Sequence, residues 1–230
     1  MIGVFDSGLG GENVIRAIRS RSDAADLVFF ADRANAPYGT KSESELIRLT
    51  ESSIERLVSA GCKKILIACC TASTVHPLIR RELADLSIPI IAPTARDALS
   101  ATGNGKIAVI ATDATVRSHA FRRALGSGCT IEIAASRLVD EIEAGASDGN
   151  IDSELKNYLY TILSPLGNTD TDTLVLGCTH FVRLRGEIEK ALYDILNKQI
   201  ITVDSSEAAA GEIFSSPVCD LSGEGRLLRI

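Results

Sequence analysis

The sequence predicts an α/β protein with two pseudo-symmetric lobes, each a mostly parallel sheet flanked by helices. Short apolar runs alternate with amphipathic helical stretches along the 230 residues, a rhythm typical of parallel sheets covered by helices. Two of the runs, 64–68 and 173–176, lead into a cysteine and a threonine in different halves of the chain. Because such sheets bind ligands beyond the carboxyl ends of their strands, we expect the active site in the cleft between the lobes.

The predicted elements follow one another as strand and helix. Apolar runs of four or five residues predict strands over 2–5, 27–31, 64–68, 88–92, 106–110, 130–134, 173–176 and 200–203. Apolar residues at helical spacing predict helices over 11–19, 42–60, 74–86, 115–125, 151–163 and 184–197. Pro89 and Pro93 bracket the fourth strand, which places a lobe boundary in the mid-90s. We expect a first lobe of 1–95 with 204–230 and a second of 96–203.

Composition narrows the class of protein. The 45% hydrophobic and 23% charged residues suit a globular chain, and no uninterrupted apolar stretch reaches the ~18 residues that span a bilayer. The amino-terminal residues run into a strand without a signal-peptide pattern, so we expect a cytoplasmic protein. A net charge of −6 and 4% aromatic residues argue against nucleic acid. Six irregularly spaced cysteines indicate reduced thiols.

Small, hydroxylated and acidic residues follow the predicted strands. Hydroxyl groups and the backbone N–H groups of glycine-rich turns donate hydrogen bonds to carboxylates. The rim therefore predicts a small anionic or zwitterionic ligand. Its thiols, Cys69 and Cys178, could each take and give a proton near neutral pH if their pKa values were lowered. The alternative is that these are buried structural cysteines. Cys70 also competes with Cys69 for the position that faces the ligand, because neighbouring residues at a strand end face opposite sides and only one of the two can face it.

Four segments together resemble the signature segments of the bacterial glutamate racemases, which are cofactor-independent amino-acid racemases. They are Phe5-Asp-Ser-Gly-Leu-Gly-Gly11, Ala36-Pro-Tyr-Gly-Thr-Lys-Ser42, Ala68-Cys-Cys-Thr-Ala-Ser73 and Leu176-Gly-Cys-Thr-His-Phe181. Their order and spacing also match, so the combination is specific although each segment alone is weak. The resemblance departs at Cys70, where the family has an asparagine that contributes to substrate binding.

The resemblance implies interconversion of L- and D-glutamate without metal or cofactor, supplying D-glutamate for peptidoglycan. One thiolate would remove the α-proton while a thiol on the opposite face returns one. By position, Cys69 and Cys178 are the implied acid and base, with Asp6 assisting Cys69, and His180 and Glu143 assisting Cys178. The implied substrate-binding residues are Ser7, Pro37, Tyr38, Gly39, Cys70, Thr71, Thr115 and Thr179. We further expect a homodimer whose ligand is a small molecule, with no nucleic-acid or membrane partner.

Other functions use some of the same residues. Gly8 and Gly10 resemble a dinucleotide-binding turn, but the third glycine of that motif is absent. A pyridoxal enzyme needs a lysine at the rim, whereas Lys63 and Lys64 precede their strand. Cys178 with His180 could serve an acyl-transfer enzyme, although residues two apart at a strand end need not face each other. A racemase of aspartate or another amino acid, and a non-catalytic dicarboxylate-binding protein, stay open.

Individual residues also have structural explanations. Asp6 could cap the following helix, and Glu143 could belong to a solvated acidic helix face. His180 could be a helix-start residue bonded to backbone. We expect no chemistry from the remaining cysteines and histidines, which are Cys62, Cys129, Cys219, His76 and His119.

Overall fold

Two parallel sheets form the framework of the computed structural model, which describes residues 1–215, residue 219 and residues 223–230. Their strands are β1 Ile2–Asp6, β2 Leu27–Ala31, β3 Lys64–Ile67, β4 Ser87–Pro89, β5 Ile107–Ala111, β6 Cys129–Ala134, β7 Thr173–Gly177, β8 Ile201–Asp204 and β9 Leu227–Arg229. The first sheet has the order β4-β3-β1-β2-β9 and the second β6-β5-β7-β8. All their pairings are parallel, which confirms the predicted fold class.

Helices connect the strands and cover both sheets. They are α1 Gly11–Arg21, α2 Glu43–Ser59, α3 Cys70–Ser73, α4 Arg81–Ala84, α5 Ile91–Ala101, α6 Asp113–Ser118, α7 Ala120–Leu125, α8 Ser136–Glu143, α9 Ser153–Leu163, α10 Arg185–Leu196 and α11 Ser205–Ser215. The longest, α2, begins with a capping box in which Ser42 and Glu45 satisfy each other's backbone N–H groups. Its apolar face is buried, as its helical spacing predicts.

A layer of helices lies between the sheets and gives them a common core. Helix α5 packs on β7 and β8 of the second sheet and on α11, which in turn packs on α1. One buried apolar cluster accordingly contains Val4 and Leu66 of the first sheet and Val109 and Val175 of the second. The predicted boundary at residue 95 falls within α5. The division into lobes by residue range stays a prediction, and residues 216–218 and 220–222 of its first lobe lie outside the described chain.

The predicted strand 88–92 is wrong in its second half. Strand β4 ends at Pro89, and Ile91 begins α5. The Thr94 hydroxyl donates to the Ile90 carbonyl at 2.6 Å, so Pro93 and Thr94 belong to the helix and not to the rim. Proline is tolerated there because the first turn of a helix leaves its N–H groups without intrahelical partners.

Two predicted helices are interrupted. Over 74–86 the chain instead forms a 3₁₀ turn containing Pro77, an extended Ile79 and the short helix α4, since proline lacks the N–H that a helix interior needs. Over 115–125 the helix breaks at His119, which adopts a left-handed φ of 52° between α6 and α7. Both were predicted as single helices because their apolar residues keep a helical period across the breaks.

Strand β9 was not predicted. Its three residues pair with β2 at the edge of the first sheet, and two of them are exposed. The apolar pair Leu227-Leu228 is shorter than the runs that predict the other strands. Long-range polar contacts hold it in place: Asp26 accepts from the Arg226 backbone N–H and guanidinium, and Arg19 donates to the Gly225 and Arg226 carbonyls.

Candidate active site

Cys69 and Cys178 line one small cavity at the carboxyl ends of β3 and β7. Cys69 follows β3 of the first sheet and Cys178 follows β7 of the second; their exposed fractions are 5% and 6%. Both thiols therefore face the same cleft between the sheets. The cavity's lining residues are Ser7, Pro37, Tyr38, Gly39, Thr40, Cys69, Thr71, Thr112, Ser136, Val139, Asp140, Cys178, Thr179 and His180.

The cavity is closed. Its volume of about 20 Å³ is the space of a single water molecule. A wider mouth of about 310 Å³ adjoins it and shares five of its residues. The residues that line this mouth are Ser7, Gly8, Arg33, Ala36, Pro37, Val139, Asp140, Glu143 and His180.

A relay of three side chains backs the second thiol. Cys178 Sγ lies 3.7 Å from His180 Nδ1, and His180 Nε2 lies 2.7 Å from Glu143 Oε1. Burial alone would lower the pKa of His180, but its hydrogen bonds with Cys178 and Glu143 outweigh burial and raise that pKa to about 10. The hydrogen bond from His180 holds the pKa of Glu143 below its usual value. A protonated imidazole thus faces the Cys178 sulfur and stabilises negative charge on it.

The relay also corrects one expectation. Cys178 and His180 do face each other although they are only two residues apart, because the chain turns sharply after β7 into a 3₁₀ helix at Phe181–Leu184. The Glu143 carboxylate is half-exposed and accepts from the Leu9 N–H at 2.9 Å. Glu143 therefore joins the relay to the segment after β1 while its carboxylate stays partly exposed.

The surroundings of the first thiol, Cys69, differ from those of Cys178. Cys69 Sγ lies 3.4 Å from Ser7 Oγ and accepts from the Ala72 N–H at 3.5 Å. Burial, and next the charge of Asp6, raise the pKa of Cys69 to about 12. The two cysteines therefore lie in different charge environments. Cys69 is held in its neutral thiol form, whereas Cys178 faces a protonated imidazole.

Asp6 connects the two sheets from beneath the cavity. Its Oδ1 accepts from the Gly8 N–H at 2.8 Å and its Oδ2 from the Thr179 hydroxyl at 3.0 Å. Burial raises its pKa. Asp6 also interacts with the backbone N–H of Gly11, the first residue of α1, and it influences Cys69 through its charge.

Glycine is required where these segments cross. A Cβ on Gly10 would stand 2.2 Å from Thr179 Oγ1 and 2.7 Å from His180 Nδ1. A Cβ on Gly8 would stand 2.5 Å from Glu143 Oε1. The glycine-rich turn after β1 thus lets the two sheets' active-site segments touch.

Threonine hydroxyls form a second bridge between the sheets. Thr71 Oγ1 lies 2.9 Å from Thr112 Oγ1 and 3.2 Å from Thr115 Oγ1. Thr71 and Thr112 line the cavity, whereas Thr115 stands behind them and does not reach it. Thr115 consequently supports the hydroxyl cluster, and a direct contact of its side chain with the substrate finds no support in this arrangement.

Tyr38 and its neighbours form the wall nearest the mouth. The Tyr38 hydroxyl donates to Asp32 Oδ2 at 2.7 Å, and burial followed by that bond raises the pKa of Tyr38. The Gly39 carbonyl accepts from the Ala114 N–H at 2.8 Å, which closes the cleft on this side. Pro37, Tyr38 and Gly39 all lie on the cavity as predicted for substrate-binding residues.

Cys70 does not line the cavity. Its side chain is 2% exposed and belongs to the core cluster that the two sheets share, and burial raises its pKa well above the usual range. Cys69 is the extended residue just before α3 and Cys70 is the first residue of that helix, so the two side chains point in different directions. The prediction that Cys70 binds substrate is therefore not supported, and Cys69 is the thiol that faces the cleft.

Part of the cavity and of its mouth consists of residues that were not predicted. Ser136 and Asp140 were available from the sequence, because they come just after the strand predicted over 130–134, where ligand contacts concentrate. Arg33 follows β2 in the same way. Within the described chain, no cluster of three or more metal-ligating side chains is found. No helix among the described residues is long and apolar enough to span a membrane.

The fold and the site together define a two-lobed α/β protein that presents one thiol from each lobe to a shared cleft. Residues 9–213 match the Asp/Glu/Hydantoin racemase family, and the chain belongs to that family. This confirms the predicted resemblance and the predicted class of enzyme, an isomerase that racemises without a cofactor.

Individual relatives and solved structures that the chain resembles are glutamate racemases. The glutamate racemase of Mycobacterium leprae is 38% identical over 217 residues, which are 93% of this chain and 77% of the relative. The structure of glutamate racemase from Thermus thermophilus in complex with beta-chloro-D-alanine superposes with a TM-score of 0.80 at 30% identity, covering 99% of this chain and 86% of the other. That of Francisella tularensis glutamate racemase in complex with D-glutamate has a TM-score of 0.83 at 25% identity, covering 99% and 86%.

Proposed function

We propose that this protein is a glutamate racemase that interconverts L- and D-glutamate by proton transfer at Cys69 and Cys178. The observation that carries the proposal is that both thiols line one cavity from strands of different sheets. The relatives' activity and the D-glutamate bound to the Francisella tularensis enzyme support glutamate as substrate.

The reaction needs one thiolate and one thiol on opposite faces of the α-carbon. In one direction the Cys178 thiolate, stabilised by protonated His180, takes the α-proton and leaves a planar carbanion. The Cys69 thiol then donates its proton to the opposite face and becomes a thiolate, so protons and charge balance. In the reverse direction the two exchange roles, and the substrate ammonium in the cavity favours the Cys69 thiolate.

Hydroxyl groups around the thiols suit the carboxylates of glutamate. They donate hydrogen bonds without adding a base that would compete for the α-proton. We assign this role to Ser7, Thr71 and Thr179, as predicted, and add Thr112, Thr40 and Ser136.

Glutamate does not fit into the space of one water molecule, so the lobes must part to admit it. We propose that the first lobe comprises 1–95 and 204–230 and the second 96–203, and that they separate at the cleft. The contacts that break include the bonds of Thr179 with Asp6, of Leu9 with Glu143 and of Thr71 with Thr112.

The cellular setting is also a proposal. Supply of D-glutamate for peptidoglycan in the cytoplasm, by a homodimer, follows from the resemblance to bacterial glutamate racemases.

The paired thiols also weigh against acyl transfer. The Cys178, His180 and Glu143 relay resembles a nucleophile, base and orienting acid. An acyl-transfer enzyme, however, has no use for a second cysteine on the same cavity.

Circular dichroism of pure L-glutamate incubated with the protein tests the proposal. A racemase brings the optical signal to zero, and pure D-glutamate decays to the same end point. Parallel incubations with L-aspartate and L-glutamine show whether the protein racemises glutamate or another amino acid. Unchanged signals for all three, despite glutamate binding by calorimetry, would indicate a dicarboxylate-binding protein.

A further inference from the structure

We infer that Arg33 at the mouth forms an outer binding subsite that captures a carboxylate of the incoming amino acid before it reaches the thiols. The inference deepens the proposed function and rests on it, because a racemase of acidic amino acids must draw an anion into a closed cleft.

The mouth is the passage to the thiols. It adjoins the inner cavity and shares Ser7, Pro37 and His180 with it. Its volume of about 310 Å³ lies at the lower end of the range for small-molecule sites, whereas the inner cavity holds about 20 Å³. An amino acid therefore occupies the mouth before the lobes part.

Arg33 is the exposed cation of this passage. Apart from His180, it is the one basic residue that lines the mouth, and none lines the inner cavity. It stands at the start of a short 3₁₀ helix after β2 and is solvent-exposed. Among the described residues, no hydrogen bond or ion pair involves its guanidinium. Its fork of N–H donors is therefore free to meet a carboxylate.

The neighbouring acids are engaged elsewhere or lie deeper. Glu143 Oε1 accepts hydrogen bonds from His180 and from the Leu9 N–H. Asp32, next to Arg33 in the chain, accepts from Tyr38 and Asn35. Asp140 lines both the mouth and the inner cavity. The Arg33 charge helps to lower the pKa of Glu143, but among the described residues no acid forms an ion pair with Arg33, so its guanidinium N–H groups are left available to a ligand.

The net negative charge of the chain explains why a cation at the mouth would help an acidic substrate to bind. The protein carries a formal charge of −6, and glutamate or aspartate carries one net negative charge at neutral pH. The overall field opposes approach of the substrate, and Asp140 and Glu143 line the same mouth, so a direct contact with the Arg33 guanidinium offsets that repulsion at short range. A neutral amino acid gains no such benefit, so the subsite also favours acidic substrates.

Steady-state kinetics of Arg33→Gln at low and high ionic strength test the inference. We expect KM for L-glutamate to rise about five-fold at low salt, the value of one charge contact in water, with kcat unchanged. Near 0.5 M salt the difference shrinks, because charges more than a few ångströms apart are then screened. Arg33→Lys should recover much of the loss.

Arg81→Gln is the matched control. It makes the same change in net charge at a side chain that is 93% exposed on α4 and does not line the mouth, so KM should keep its wild-type value at both salt concentrations.

Two results would overturn the subsite while leaving the racemase assignment intact: an unchanged KM for Arg33→Gln at low salt with active wild-type protein, or a fall in kcat alone. A wild-type protein without racemisation would instead overturn the proposed function and this inference with it.

Discussion

Replacing Gly10 by alanine should separate the two halves of the active site. The Gly10 φ of −58° and ψ of −34° are helical, so alanine adopts them without strain and the effect is purely steric. The new Cβ would lie 2.2 Å from Thr179 Oγ1 and 2.7 Å from His180 Nδ1. To restore ordinary contact near 3.5 Å, the Thr179 hydroxyl must move by roughly 1 Å.

The expected magnitude follows from that displacement. Overpacking of this kind lowers the free energy of unfolding by about 1–3 kcal/mol. A shift of about 1 Å in acid–base groups lowers kcat/KM by about 100-fold. Urea unfolding and racemisation followed by circular dichroism measure the two effects.

The matched control is Gly103→Ala. Its Cβ would meet Asp172 Oδ2 at 3.5 Å, an ordinary contact, so stability and activity should stay near wild type. If Gly10→Ala also behaved like wild type, the close crossing of the turn after β1 with Thr179 and His180 would be refuted.

Two further predictions concern pH. Hydrogen bonds with Cys178 and then with Glu143 raise the pKa of His180 to about 10, and Glu143→Gln removes the second of them. The stability that the Glu143 carboxylate gives to protonated His180 is fully present below the ordinary histidine pKa of ~6.5 and is lost as pH rises through 10. The wild type should therefore lose more stability than the variant between pH 7 and pH 10, and equal losses by urea unfolding would contradict the relay. Asp26→Asn tests the β9 attachment: Arg226 holds the pKa of Asp26 well below its usual value, so the stabilisation is present above ~pH 4 and lost on acidification. The wild type's advantage over Asp26→Asn should shrink from pH 6 to pH 2, and a constant difference would refute the ion pair's role.

The strands that carry the site were predictable because each is a buried apolar run. The segments before Cys69 and Cys178 end in the sheet within one residue of expectation. Strand β9 could not be found in this way, since Asp26 and Arg19 hold Gly225 and Arg226 just before it, contacts that only the folded chain creates. Local periodicity likewise could not show the breaks at Pro77 and His119.

The active site was predictable in its residue types but not in its contacts. Neighbouring side chains at a strand end face opposite ways, which left Cys69 and Cys70 as alternatives until the fold placed Cys70 in the shared core. The turn that brings His180 onto Cys178 and the crossing of Asp6 to Thr179 depend on packing between the sheets. No single segment contains that information.

Racemisation in deuterium oxide tests most directly whether two opposed thiols share the α-carbon. Starting from protiated L-glutamate, early D-glutamate should carry deuterium at the α-carbon, because the returned proton comes from a second, solvent-exchanged thiol. Cys69→Ser and Cys178→Ser should each abolish racemisation, while Cys70→Ser retains it. Early D-glutamate that keeps its protium, or racemisation lost in Cys70→Ser alone, would contradict the account.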